Sequence, residues 1–200
     1  MLFVIPALLE GAEALAAALG VTIGAGVASQ MVNKGEKEDS AGKVTAVDST
    51  KPCEKCTAIP WVSPIQEPFN GSETSLNYQM RICGTYSMHH SNETTSVEEY
   101  AFRHPGLANP SKQVKFDGWK PAECLFLEAK GKLDQFFDKN GKPWYKGVFD
   151  TENQAKRQQG ALNLCDGIPE CHWHCMQPVS YTYYKKALNM LPNITVFYTP

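Results

Sequence analysis

From Met1 to Val32 the chain is almost unbroken Ala, Gly, Leu, Val and Ile, interrupted by Glu10 and Glu13, and no Lys or Arg stands ahead of the run. A secretory signal peptide needs a positively charged n-region, so this pattern does not read as one. The uncharged part after Glu13 ends at about Ser29, short of the ~20 residues that comfortably span a bilayer. Gly20 and Gly24 nevertheless make a small-xxx-small pair. The pattern predicts an apolar helical leader over residues 1–33, covered by a partner or by the rest of the chain, with transient membrane contact as its second use. Residues 34–52 shift to Lys, Glu, Asp, Ser, Gly and Thr, the composition of a solvated linker. A folded domain is expected over residues 53–200.

Within that domain the period of the apolar positions alternates. Ser72 to Ile82 predicts a helix capped by Ser72 or Thr74, and Gln113 to Trp119 and Glu123 to Lys130 predict two strands of a hairpin joined by a short proline-containing turn. Thr151 to Leu164, rich in Glu, Gln, Ala, Lys, Arg and Leu, predicts a helix behind a Thr cap. A strand near His172 to Gln177, a helix from Val179 to Met190 and the strand "ITVFYT" complete the order α-β-β-α-β-α-β. That order is α/β, a mixed central sheet flanked by helices. No internal repeat is visible.

Composition changes this picture little. The chain has 200 residues, 42% hydrophobic and 20% charged, with a net charge of -2, so any basic footprint for nucleic acid has to be local. Seven cysteines, an odd number, argue against a purely disulfide-built scaffold and predict mostly reduced thiols. "PCEKC" at Cys53 and Cys56, with "CHWHC" from Cys171 to Cys175, holds residue types that a structural zinc uses. Strand alternation, however, puts Cys171, Trp173 and Cys175 on one face and His172 and His174 on the other. The four cannot share one metal, and buried thiols plus a single functional His174 is the preferred reading.

The hairpin carries the chemistry. In "CLFLEAKG", Cys124, Phe126, Glu128 and Lys130 share one face while Leu125, Leu127 and Ala129 share the other. Two charges on the apolar face of a strand are costly to desolvate unless they are paired, bind a metal or line a cleft. Asp117 can be brought to the same end by the hairpin. An Asp and a Glu with oxygen ligands alone suit a hard cation, Mg²⁺ or Mn²⁺, completed by water and substrate phosphate. The lysine adds an ammonium to hold water or to oppose charge growing on a phosphate. The competing reading is a cross-strand ion pair on a half-exposed sheet.

"FDGW", "CLFLEAKG", "LDQFF", "QAKRQQGAL" and "WHCMQP" together resemble the restriction-endonuclease-fold toxin domains, fifth class, of bacterial polymorphic toxin systems, within the PD-(D/E)xK nuclease superfamily. The resemblance runs from about Cys53 to the C-terminus, with Phe116 where the superfamily has a proline. It implies a restriction-endonuclease-like core, Asp117 and Glu128 as metal ligands and Lys130 as catalytic lysine. Gln154 and Gln158, one turn apart on one helix face, would reach the active site or the phosphate backbone, and His174 would assist nearby. It also implies an antibacterial effector, delivered by type VI or related machines into the cytoplasm of target bacteria. Its partners would be a nucleic-acid substrate (DNA first, RNA second), a cognate immunity protein, and a secretion chaperone or spike protein. Two other classes stand beside it: a membrane-acting effector using the leader, and a Cys/His hydrolase built on Cys171 or Cys175.

Overall fold

The computed structural model describes residues 52–91 and 93–200. The leader expected over 1–33, and the linker but for Pro52, lie outside the described residues. The described part is built from two β-sheets and three helices rather than one sheet. The first sheet is antiparallel. Its central strand β3 (Thr95–Arg103) is flanked from Ser96 to Phe102 by β1 (Val62–Pro68), and on the other edge by β2 (Ser87–His89) and β4 (Gln113–Phe116) in turn. Pro64 and Pro68 sit in β1, which pairs only with β3, and an edge is where a sheet tolerates proline.

The second sheet runs β5 (Gly118–Lys120), β6 (Leu125–Lys130), β7 (Glu170–Cys175), β8 (Ile194–Tyr198). β5 and β6 form an antiparallel hairpin, whereas β6, β7 and β8 are parallel, so this sheet is mixed. The predicted hairpin therefore exists, but its first strand is split. Residues 113–116 pair with β3 in one sheet, residues 118–120 pair with β6 in the other, and Asp117 occupies the bend between them.

Helix α1 (Glu73–Cys83) begins at a Ser72 cap, whose hydroxyl accepts from the Ser75 amide at 3.2 Å, and ends at Gly84 with φ +68°. It covers the Leu125, Leu127 and Ala129 face of β6. Two glycines permit that approach. A Cβ on Gly118 would lie 2.8 Å from Cys83 Cβ, and one on Gly131 would lie 2.6 Å from Ser75 Oγ and 3.0 Å from Ser75 Cα. The opposite face of the sheet holds the main core, in which Phe116 stacks on Phe126 at 3.9 Å and Trp173 packs on Tyr184.

Helix α2 (Gly147–Asn163) starts four residues earlier than predicted. Thr151 is inside it, donating to the Gly147 carbonyl at 2.9 Å, and is not a cap. Helix α3 (Pro178–Ala187) starts on proline, and its Val179 and Ser180 amides are capped by Asp134 at 3.1 and 2.7 Å. The "LDQFF" segment is thus a remote N-cap, which local spacing could not reveal. Strand β7 begins two residues before its predicted start.

The expectation of mostly reduced thiols needs one correction: Cys56 and Cys124 form a disulfide, with Cα atoms 5.5 Å apart. Cys53, Cys83, Cys165, Cys171 and Cys175 are free thiols. Cys56 is therefore not available to a Cys53/Cys56 metal pair, and among the described residues no three His, Cys, Asp or Glu side chains gather into a metal cage.

Candidate active site

Glu128 is the hub. Its side chain is 1% exposed, deep on the core face of β6 where alternation places it beside Phe126 and Lys130. Oε1 accepts from Lys130 Nζ at 2.6 Å and from Gln154 Nε2 at 2.8 Å, and Oε2 accepts from Gln158 Nε2 at 2.6 Å. Lys130 Nζ also donates to Gln154 Oε1 at 2.9 Å and lies 4.6 Å from the centre of the Trp173 ring. Gln158, fully buried, accepts from Trp173 Nε1 at 2.9 Å and donates to the Lys115 carbonyl at 3.1 Å. The core faces of β6 and β7 and one face of α2 thus converge on a single carboxylate.

Asp117 reaches the same end of the sheet from the bend between β4 and β5. Its Oδ2 accepts from the Ala129 amide at 2.7 Å. Burial pushes its pKa well above the carboxylate range, the Glu128 charge pushes it further, and Lys130 and the Ala129 amide oppose the rise. Lys130 behaves in the complementary way. Burial alone disfavours its ammonium, but Glu128 and Asp117 more than offset this and hold its pKa above the ordinary lysine value.

One acid here was missed from sequence. The register of β3 and β4 ends at Tyr100 against Phe116, which brings the next residue of β3, Glu99, close enough for its charge to raise the Asp117 pKa. Burial, with the charges of Glu128 and Glu67, raises the Glu99 pKa to about 7, while Lys115 and Gln79 hold it down. Glu99 sits in the doublet "EE" of an otherwise strand-like run. Only the pairing of β3 with β4 distinguishes it from a surface acid.

His174 is not brought to this cluster. It lies on the opposite face of the sheet, level with Ala129, beside His172 and Phe197, with Nδ1 2.9 Å from Thr199 Oγ1. Burial and the neighbouring His172 and Lys120 charges lower its pKa. Cys171 and Cys175 face the core, fully buried, and burial raises both thiols, Cys175 to about 12. A nucleophilic cysteine needs a depressed pKa and access to substrate, so the Cys/His hydrolase reading fails here.

Glu128 and Asp117 are buried, and of the residues around them Gln154 lines a surface cleft. A cleft of about 500 Å³ between β4 and α2 has Gln154 in its wall, with Lys115 and Arg157 alongside.

This geometry, two carboxylates and a lysine at the bend of a hairpin with glutamines from the next helix, meets an independent finding. A family model for restriction endonuclease fold toxin 5 matches residues 75–178, from the first turn of α1 to the start of α3. The chain belongs to that family. The matched span contains Asp117, Glu128, Lys130, Gln154, Gln158 and Glu99. No curated protein matches the chain. Membership in restriction endonuclease fold toxin 5 places the chain among toxins built on a nuclease fold, and the mixed α/β architecture of the described residues agrees with it.

The donor set suits a hard cation. Burial and the Glu128 charge raise the proton affinity of Asp117, and two buried carboxylates side by side make a poor pair when both are ionised and a good one around a positive ion. Such a cation needs only one or two carboxylates, with water and phosphate oxygens completing its shell.

Proposed function

We propose that the chain is a metal-dependent toxin nuclease that hydrolyses phosphodiester bonds in nucleic acid, DNA in the first instance, inside target bacteria. The observation that carries this reading is the buried Glu128 network with Asp117 beside it. A purely structural ion pair would not recruit a second carboxylate to the same buried spot at electrostatic cost. Asp117 and Glu128 would hold Mg²⁺ or Mn²⁺, which supplies a more acidic bound water and a polarised phosphoryl group.

The chain's own residues do the rest. Gln154 and Gln158 clamp both oxygens of Glu128, so its carboxylate does not reorient between turnovers. Trp173 and the Lys115 carbonyl fix Gln158 in turn. As water attacks phosphorus and one P–O bond breaks, negative charge develops on the phosphoryl oxygens. The Lys130 ammonium, kept charged by its neighbours, opposes that charge in a site screened from bulk water. Arg157 along the cleft meets a flanking phosphate, whereas the Lys115 ammonium is held by Glu67 at 2.5 Å.

In this reading the protein is a secreted effector, delivered by a type VI or related machine and neutralised in the producer by a cognate immunity protein. The family's toxin designation supports that setting. The deciding experiment incubates the purified chain with plasmid DNA and with total RNA, in Mg²⁺ and in EDTA. Cleavage only with the cation, abolished by Glu128→Ala, is the expected result. Full activity in EDTA would sink the mechanism.

A further inference from the structure

The segment that joins β6 to α2 carries rings that the core does not use. Trp144 is 65% exposed, Tyr145 47% and Phe149 49%. Phe136, partly buried, supports the first two from beneath, stacked on Tyr145 at 4.7 Å and edge-on to Trp144 at 6.1 Å. A tryptophan left in water but held by its neighbours is set up for contact. Around these rings Lys139, Lys142 and Lys146 are exposed, and no salt bridge engages them among the described residues.

Asp138, the acid amid these lysines, turns its Oδ1 onto the Asn140 and Lys142 amides of its own loop, at 2.8 and 2.9 Å. A groove of about 780 Å³ adjoins this segment, walled by Lys142, Pro143, Val179, Tyr183 and Lys186. In a chain of net charge -2, residues 136–149 thus interleave three lysines and one acid with aromatic faces, and exposed Asp150 follows just beyond Phe149.

That combination has a specific complement. Successive unpaired bases stack on exposed rings while lysines track the phosphates between them. Protein interface cores, by contrast, are depleted in lysine. Duplex DNA hides its base faces, so stacking selects for unpaired ones. In sequence the segment lies between the two elements that carry the site, β6 and α2. Lys130 lies six positions before Phe136, and α2, starting at Gly147, brings Gln154 into the Glu128 network about 10 Å further along its axis. We propose that residues 136–149 form a stacking platform for unpaired bases, which makes single-stranded or locally melted nucleic acid the preferred substrate. The word substrate rests on the nuclease reading above, whereas the binding surface does not.

The test measures binding apart from turnover. In EDTA, with strand integrity checked on a gel, fluorescence anisotropy of a labelled 12-nucleotide single strand and of its duplex is titrated with the full chain and with Trp144→Ala. The single strand should bind at least roughly tenfold more tightly than the duplex. Trp144→Ala should weaken that binding by roughly 5- to 150-fold, the range for one lost stacked base. Lys142→Ala combined with Lys146→Ala should flatten the dependence of log K on log salt by about 1.4.

Equal affinity for duplex, or strand binding indifferent to Trp144→Ala, overturns the platform. So does finding that Trp144→Ala affects only capture of a co-produced inhibitor protein, which would assign the face to protein. Strand binding without cleavage in any divalent cation would count against the nuclease reading and leave the platform standing. Cleavage together with Trp144-independent binding would do the reverse.

Discussion

At the residue scale the site is a collection of groups held in unfavourable surroundings. Asp117 ionises against burial and against Glu128, and Glu99 shares the strain. For an acid whose folded pKa is raised, the folded state binds more protons than the unfolded one. Stability is therefore greatest below the unfolded pKa and falls as pH rises toward the folded value. For Glu99 that window runs from 4.5 to about 7, and Asp117 acts in the same direction. The protein freed of divalent cations should accordingly melt several degrees lower at pH 8 than at pH 5.

Asp117→Asn keeps an oxygen for the Ala129 amide and removes the charge. It should raise the melting temperature at pH 8 by a few degrees while lowering cleavage by about 10²-fold or more. Mg²⁺ should stabilise the native chain at pH 8 and not this variant. Thermal melts with and without the cation, set beside cleavage rates, measure all three. A variant less stable than the parent would show that Asp117 is structural.

At the element scale, α1 and α2 do different work on the two faces of the same sheet. The glycines of "FDGW" and "EAKG" stand where α1 presses onto β5 and β6, immediately after Asp117 and Lys130. Gly118→Ala would drive a methyl group to within 2.8 Å of Cys83 Cβ and 3.2 Å of Cys83 Cα. Overpacking of this kind destabilises by about 1–3 kcal/mol, and chemical denaturation should register it. An unchanged midpoint would mean that α1 shifts freely.

On the other face, α2 supplies two glutamines of unequal structural weight. Gln158→Ala strands Glu128 Oε2 and Trp173 Nε1 in the core, at about 1–3 kcal/mol for each orphaned group. Gln154 is only half-buried, and Gln154→Ala should leave the unfolding free energy within about 0.5 kcal/mol of the parent's while slowing cleavage roughly tenfold. Denaturation curves and rates on the two variants separate a scaffold glutamine from a functional one, and matching losses for both would erase the distinction.

At the scale of the whole described domain, the Cys56–Cys124 bridge ties the segment before the first sheet to the turn of the β5–β6 hairpin, across a separation of 68 residues. A loop of that length limits the unfolded chain enough for the bridge to contribute about 2–4 kcal/mol. Melting under reducing conditions should therefore come at lower temperature than under oxidising ones, and Cys56→Ala should abolish the difference. Both cysteines lie away from the Glu128 network, so cleavage at low temperature should survive reduction. If reduction stops cleavage while the fold persists, the bridge instead positions the hairpin turn and, through it, Asp117.

Strand alternation in "CLFLEAKG" was enough to put Glu128 and Lys130 on one face, and the two-glutamine spacing of "QAKRQQ" was enough to put Gln154 and Gln158 on one side of a helix. Those are local periodicities, set by backbone geometry within six residues or so, and sequence alone determines them. The Ser72 cap and the turn before Cys124 belong to the same class. What lies across the sheet from each residue is not local. That Glu99 comes near Asp117 depends on β3 pairing with β4, and that Asp134 caps α3 depends on a contact 45 residues away. The break of the first hairpin strand into two sheets is likewise non-local: residues 113–116 find their partner in β3 and residues 118–120 in β6. His174 shows the same limit in reverse. It is near Lys130 in register, yet it points to the other face, because a side chain's neighbours are decided by which surface of the sheet is buried against which helix. Tertiary pairing alone converts correct local periods into a site, since the energy of a buried charge depends on everything that surrounds it.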